Sequence, residues 1–115
     1  MKKSFGASKE FLLGDDIPWE VVGEGVKRKI MAYDDNIMLV NVHFEAGGIG
    51  PMHEHYHSQV TYVVSGEFEL TIGDKTRLLK GGDAFYIPPH VLHGAICKKS
   101  GVLIDVFSPI REDFM

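Results

Sequence analysis

Short runs rich in Val, Ile, Phe and Tyr follow one another along this chain, and none keeps a helical period for long. Two of them alternate cleanly. Met38, Val40, Val42 and Phe44 fall on one face of an extended segment, and Phe68, Leu70 and Ile72 on one face of another, because successive side chains of a strand point to opposite sides. Strands are expected from Val26 to Ala32, Ile37 to Phe44, Gln59 to Ser65, Phe68 to Ile72, Thr76 to Leu79, Asp83 to Ile87, His93 to Lys98 and Val102 to Phe107. Turn-forming clusters separate them, among them Asp34-Asp35-Asn36, Gly73-Asp74, Gly81-Gly82 and Ser100-Gly101. About eight short antiparallel strands predict an all-β fold, a jelly-roll or related β-barrel, since closure or sheet pairing hides their edges. Residues 1–25 read as an N-terminal arm packing on a barrel of residues 26–115, with Ile17-Pro18-Trp19 as its anchoring point.

A length of 115 residues fits one domain, and apolar and charged fractions of 44% and 24% are those of a soluble globular protein. The formal net charge of -4, with basic residues scattered, speaks against nucleic acid as a partner. The start, Met1-Lys2-Lys3-Ser4-Phe5-Gly6, carries no apolar run of signal-peptide length, and no stretch approaches the ~20 apolar residues of a membrane span. A cytoplasmic protein with no membrane partner is expected. The single cysteine, Cys97, cannot form an internal disulfide and reads as a small buried hydrophobe.

The chemistry concentrates in the histidines. His53, His55 and His57 alternate just after a Gly-rich segment, and residues two apart on an extended chain share a face, so the imidazoles of His53 and His55 can converge on one point. Gln59 continues that parity and can offer a carbonyl oxygen if the chain turns after His55. His93 would come from a distant strand across the barrel interior. A solvated histidine-rich loop is the alternative for the first pair alone. The segment Gly82 to His93 adds a turn, an apolar strand, a Pro stop and another histidine. His57 either orients a ligand or faces solvent beyond the turn; the second is preferred, because four ligands are already named. His43 and His90 read as structural or peripheral.

These two segments resemble the paired motifs of the cupin superfamily. Gly47, His53, His55, Gln59 in the family's Glu position and Gly66 match the first motif. Gly82, Pro88, His90 in a Gly position and His93 match the second, with Cys97 where the family carries Asn. The resemblance implies a single-domain cupin barrel holding one divalent metal through His53, His55, Gln59 and His93. Zn, Ni, Fe, Mn and Co all suit such ligands. With Gln in place of Glu the ligand set is neutral, so the full charge of the ion remains available for Lewis-acid chemistry, and proton transfer must fall to another residue.

Asp105 interrupts the apolar run from Val102 to Phe107 and shares parity with Leu103 and Phe107. A buried carboxylate needs a partner or a nearby cation; either Asp105 projects into the barrel or it faces solvent at an edge. Arg111, just past Pro109, either reaches over a barrel mouth to grip a carboxylate in bidentate fashion or pairs with Glu112 or Asp113 at the surface. The wording of Gly50 to Gly66, Phe85 to Gly94 and Gly101 to Phe114 closely resembles a narrower cupin group, the KdgF pectin-degradation proteins. That resemblance implies ring opening of 4,5-unsaturated monouronates from pectin or alginate, with Asp105 and Phe107 at catalytic positions, Arg111 contacting a small sugar-acid substrate, and a homodimer. A metal-dependent dioxygenase and a non-catalytic sugar-binding cupin are the competing readings.

Overall fold

The structure is a computed structural model that describes residues 4–115. Eight strands form its body: β1 (Glu20–Gly23), β2 (Val26–Asp34), β3 (Ile37–Phe44), β4 (Ile49–His53), β5 (Ser58–Ile72), β6 (Lys75–Lys80), β7 (Ala84–Ile87) and β8 (His93–Ser108). All pairings are antiparallel, in the order β1-β2-β3-β8-β5-β6, with β4 added to β8 and β7 added to β5. Among the described residues no helix is long and apolar enough to cross a membrane.

The alternating faces read from the sequence supply the core. Met38, Val40, Val42 and Phe44 are buried along β3, and Val63, Phe68, Leu70, Leu103 and Phe107 close over them from β5 and β8. Each such side chain contributes about 1.5–3 kcal/mol by leaving water. Cys97 belongs to this cluster, with its thiol 3.1 Å from the Lys99 carbonyl oxygen and its pKa raised by burial.

Two pairs of expected strands turn out to be single long strands. Gln59 to Ser65 and Phe68 to Ile72 fuse into β5, and His93 to Lys98 and Val102 to Phe107 fuse into β8. Ser65-Gly66 and Ser100-Gly101 are corners within these long strands, not reversals. The β5–β8 ladder slips register between Val63 and Phe68, as bulges do where a strand must turn a corner. Gly66 has φ +85°, and a side chain at Gly101 would collide with the carbonyl of Ser65, so the two backbones touch where side chains would otherwise stand.

The arm is knitted to the sheet by β1, which pairs with β2 through Glu20 opposite Arg28 and Val21 opposite Lys27. Trp19 anchors it: the ring lies 4.3 Å from that of His43 and 4.5 Å from the ammonium groups of both Lys27 and Lys29.

The corner contact sets the fold's tolerance. Gly101→Ala should lose more than about 2 kcal/mol of stability, because backbone rather than a flexible side chain blocks the new methyl, whereas Gly14→Ala, where a Cβ meets nothing within 4 Å, should be near neutral. Urea midpoints at unchanged slope would measure both; equal midpoints would contradict the corner's role.

Candidate metal centre and the cavity beside it

His53 ends β4 and His93 begins β8, and the two are register partners. A Cβ at Gly94 would press on Met52 Sδ and the Gly50 carbonyl oxygen. Only glycine lets β4 lie this close over β8. His55 lies two residues beyond the end of β4, just before the chain bends, and Gln59 enters at the start of β5. The rings of His53 and His93 lie 4.3 Å apart, those of His55 and His93 4.8 Å, and the ligand atoms of all three histidines fall within 4.8 Å of one another.

Each ring is held by its other nitrogen. His53 Nδ1 lies 2.7 Å from the Pro51 carbonyl oxygen, His55 Nδ1 3.1 Å from that of His57, and His93 Nδ1 2.9 Å from that of Val91. A carbonyl only accepts, so every Nδ1 carries the proton and every Nε2 keeps its lone pair. Among the described residues the buried Nε2 of His93 has no hydrogen-bond partner, and leaving such a group unsatisfied costs about 1–3 kcal/mol. His55 Nε2 faces Gln59 Oε1 at 3.1 Å. The amide orientation is fixed because Gln59 Nε2 donates to Thr61 Oγ1 at 3.0 Å, with a longer contact of 3.4 Å to Asp105 Oδ1. Two acceptors therefore confront each other, an arrangement a cation resolves. Burial lowers the pKa of His55 and takes that of His93 to about 4, which keeps both rings in the neutral form that ligates. These features fit a divalent metal held by His53, His55, Gln59 and His93.

Beside this cluster lies a cavity of about 240 Å³, walled by Gln59, His93, Asp105, Phe107, Arg111, Arg28 and Phe114, with the exposed His53 at its lip. Asp105 faces inward from β8. Its Oδ1 accepts from Thr61 Oγ1 at 2.7 Å. Burial raises its pKa to about 6, against the lowering influence of the Thr61 hydroxyl and the Arg111 charge. The Phe107 ring is buried and meets His55 edge-on at 5.8 Å.

Arg111 lines the cavity, but the fork expected to grip a substrate carboxylate in bidentate fashion is taken by Asp113, with Nε donating at 3.0 Å and Nη2 at 2.8 Å. Yet Arg111 is buried, with its guanidinium 4.2 Å from the Phe114 ring centre and 5.0 Å from that of Phe107. It is a wall of the cavity, not a surface ion pair.

His57 does not face solvent. The chain bends between His55 and Ser58, the extended parity lapses, and the ring turns inward to 2% exposure. Its Nε2–H donates to the Ile110 carbonyl oxygen at 3.1 Å, and the ring stacks on Tyr56, whose hydroxyl donates to Glu112. His57 thereby ties the C-terminal segment that carries Arg111 to the start of β5. His90 is exposed and adopts a left-handed φ of 64° in the motif's Gly position; its backbone N–H donates to the His55 carbonyl oxygen. Two further residues went unread in the sequence. Thr61 shares the parity of Gln59, and Arg28 that of Val26 and Ile30.

The cupin-domain family model matches residues 40–107. The pectin degradation protein KdgF of Dickeya dadantii (strain 3937) is 44% identical over 109 residues, which span 93% of this chain and 99% of that protein. Among solved structures, an RmlC-like cupin from Shewanella frigidimarina NCIMB 400 superposes with a TM-score of 0.93 at 43% identity, covering 96% of this chain and 100% of the other. KdgF from Halomonas sp. superposes with a TM-score of 0.89 at 38% identity, covering 94% and 100%. Barrel, histidine cluster and sequence identity agree, and the chain belongs to the cupin family, in the group of the pectin degradation protein KdgF.

Proposed function

We propose that this protein holds one divalent metal ion at His53, His55, Gln59 and His93 and opens the ring of 4,5-unsaturated monouronates released from pectin or alginate, giving linear keto-deoxy uronates. One observation carries the reading. A buried carboxylate of raised pKa, Asp105, shares a small cavity with the histidine cluster and with a buried arginine. The kinship to KdgF, a pectin degradation protein, supplies the substrate class. A cavity of about 240 Å³ is smaller than the roughly 300–1,000 Å³ of drug-sized sites, so it suits one sugar ring.

The unsaturated monouronate is a cyclic enol ether with a carboxylate on its double bond and a hemiacetal across the ring oxygen. Opening removes the proton of the C1 hydroxyl and breaks the bond from C1 to the ring oxygen, leaving an aldehyde at C1 and an enolate at C5. Protonation at C4 turns that enolate into a ketone. Atoms and electrons are conserved, and one proton moves from O1 to C4. Asp105 can carry it: Oδ1 is held by Thr61 and Oδ2 exchanges the proton, at a pKa placed near neutrality where uptake and return are both effective. Arg111 uses Nε and Nη2 on Asp113, which leaves Nη1 to draw the uronate carboxylate. Phe107 keeps water off the reacting face and braces His55. When bound, the divalent ion supplies a positive charge, undiminished by its neutral ligands, that favours the anionic form of the sugar.

A homodimer is part of the same reading. Val60, Tyr62 and Val64 of β5 and Tyr86 of β7 are each about half exposed, and β8 continues this outward face with Val106 beside Val60 and Ile104 beside Tyr62. The patch is apolar and uncharged, and a two-fold axis through it would let the same surface of a second copy cover it. Light scattering should give the mass of two chains, falling to one in Tyr62→Glu; a parent with the mass of one chain would rule the dimer out.

The activity test is direct. The purified chain, given lyase-generated unsaturated monouronate without oxygen, should bleach the ultraviolet absorbance of the conjugated double bond as fast as in air. No acceleration over the blank, or a need for oxygen, would sink the ring-opening reading. Asp105→Asn preserves shape and the Thr61 hydrogen bond; it should keep its metal by elemental analysis and lose on the order of 10²-fold in kcat. Near-parental turnover would remove Asp105 from the chemistry.

A further inference from the structure

The cavity has a second arginine. Arg28 sits on β2 between Val26 and Ile30 in parity and lies opposite the buried Val42, so it belongs to the strand's inward row, beside the apolar Val26 and Ile30. Its side chain is only 15% exposed and lines the cavity. Its guanidinium lies 3.8 Å from the centre of the Phe114 ring, and Nη2 donates to Glu20 Oε1 at 2.9 Å. Its Nε is buried and finds no acceptor among the described residues.

A lone ion pair with the largely exposed Glu20 is weak compensation for drawing a guanidinium into a barrel. An unsatisfied donor on that buried cation adds to the cost. Because Nε is closed off, the donor left for a ligand in the cavity is Nη1, which makes no hydrogen bond among the described residues. The two arginines are not duplicates, although the Phe114 ring lies against both. Through Val42, Arg28 is level with Leu103, one inward step along β8 from Asp105, whereas Arg111 packs on Phe107, the next inward residue the other way, so the two arginines stand on opposite sides of Asp105 along that strand.

The geometry points to Arg28 as a substrate-binding residue that grips the hydroxyl-bearing edge of the uronate, the part of the ring away from Arg111. This rests on the ring-opening reading. A charged donor to a sugar hydroxyl is stronger than a neutral one and directional. The arm gains a role with it: β1, through Glu20, holds Arg28 at the cavity wall.

Steady-state kinetics on the unsaturated monouronate would test it with two variants. Arg28→Met keeps the length and the contact with Phe114 but donates nothing; Arg28→Gln keeps donors without charge. Arg28→Met should raise KM by about tenfold or more, the scale of one charged hydrogen bond, with a smaller change in kcat and with parental Tm and metal content. Arg28→Gln should recover part of the loss. Parental KM in Arg28→Met overturns the inference, as does a KM that rises only in step with a falling Tm, which marks a support for Phe114. A parent that does not turn over the monouronate brings down the ring-opening reading and this inference with it, whereas normal parental turnover with parental KM in both variants brings down this inference alone.

Discussion

Three N–H groups bonded to backbone carbonyls govern this molecule's chemistry. The carbonyls of Pro51, His57 and Val91 each accept from an imidazole Nδ1, and that choice of tautomer leaves three Nε2 lone pairs aimed at one small volume. Second contacts of this kind fix ring orientation and raise ligand basicity. Gln59 depends on the same logic: Thr61 takes its amide N–H, so its carbonyl oxygen must look toward His55. The cluster is thus organised for a cation before one arrives.

The corners of β5 and β8 make that convergence possible. A straight strand of β8's length would carry His93 far from Asp105 and Phe107. Bent at Gly101, the strand returns to place all three on one cavity. The opposing bend at Gly66 lets β5 follow, so that Gln59 and Thr61 face Phe107 and Asp105 across the ladder. In the proposed reading a neutral ligand set would leave the charge to the ion, while Asp105, joined to Gln59 by two hydrogen bonds through Thr61, would hold or release the proton. The C-terminal segment completes the wall, tied down by His57 to Ile110 and by Tyr56 to Glu112.

Much of this was legible in the sequence wherever the backbone stays extended. Parity places the inward face of β3 and that of the second half of β5 and lets His53 and His55 converge; it leaves Asp105 open between interior and edge, and it sets His93 across the interior, whereas β8 is the direct neighbour of β4. Parity failed where the chain bends, and His57 went inward there instead of out. Ser100-Gly101 misled for a different reason: the residues that permit a reversal also permit a corner, and only the close approach of β5 distinguishes them. For Arg111 the sequence offers a surface pairing with Glu112 or Asp113 as one alternative; the contact with Asp113 exists, but the residue is buried against Phe107 and Phe114, which a sequence does not bring together. Arg28 was hidden by Lys27 and Lys29, which make an inward arginine look like part of a solvated charge run.

Pulsed electron spin resonance of the Cu(II)-loaded chain counts bound imidazoles through the remote Nδ1 of each Nε2-coordinated ring, and so addresses the tautomer arrangement itself. Signals from three imidazoles are expected in the parent and in His57→Ala, and two in His93→Ala. A parent with no coordinated imidazole, or a His93→Ala variant with the parental count, would contradict a metal centre built on His53, His55 and His93.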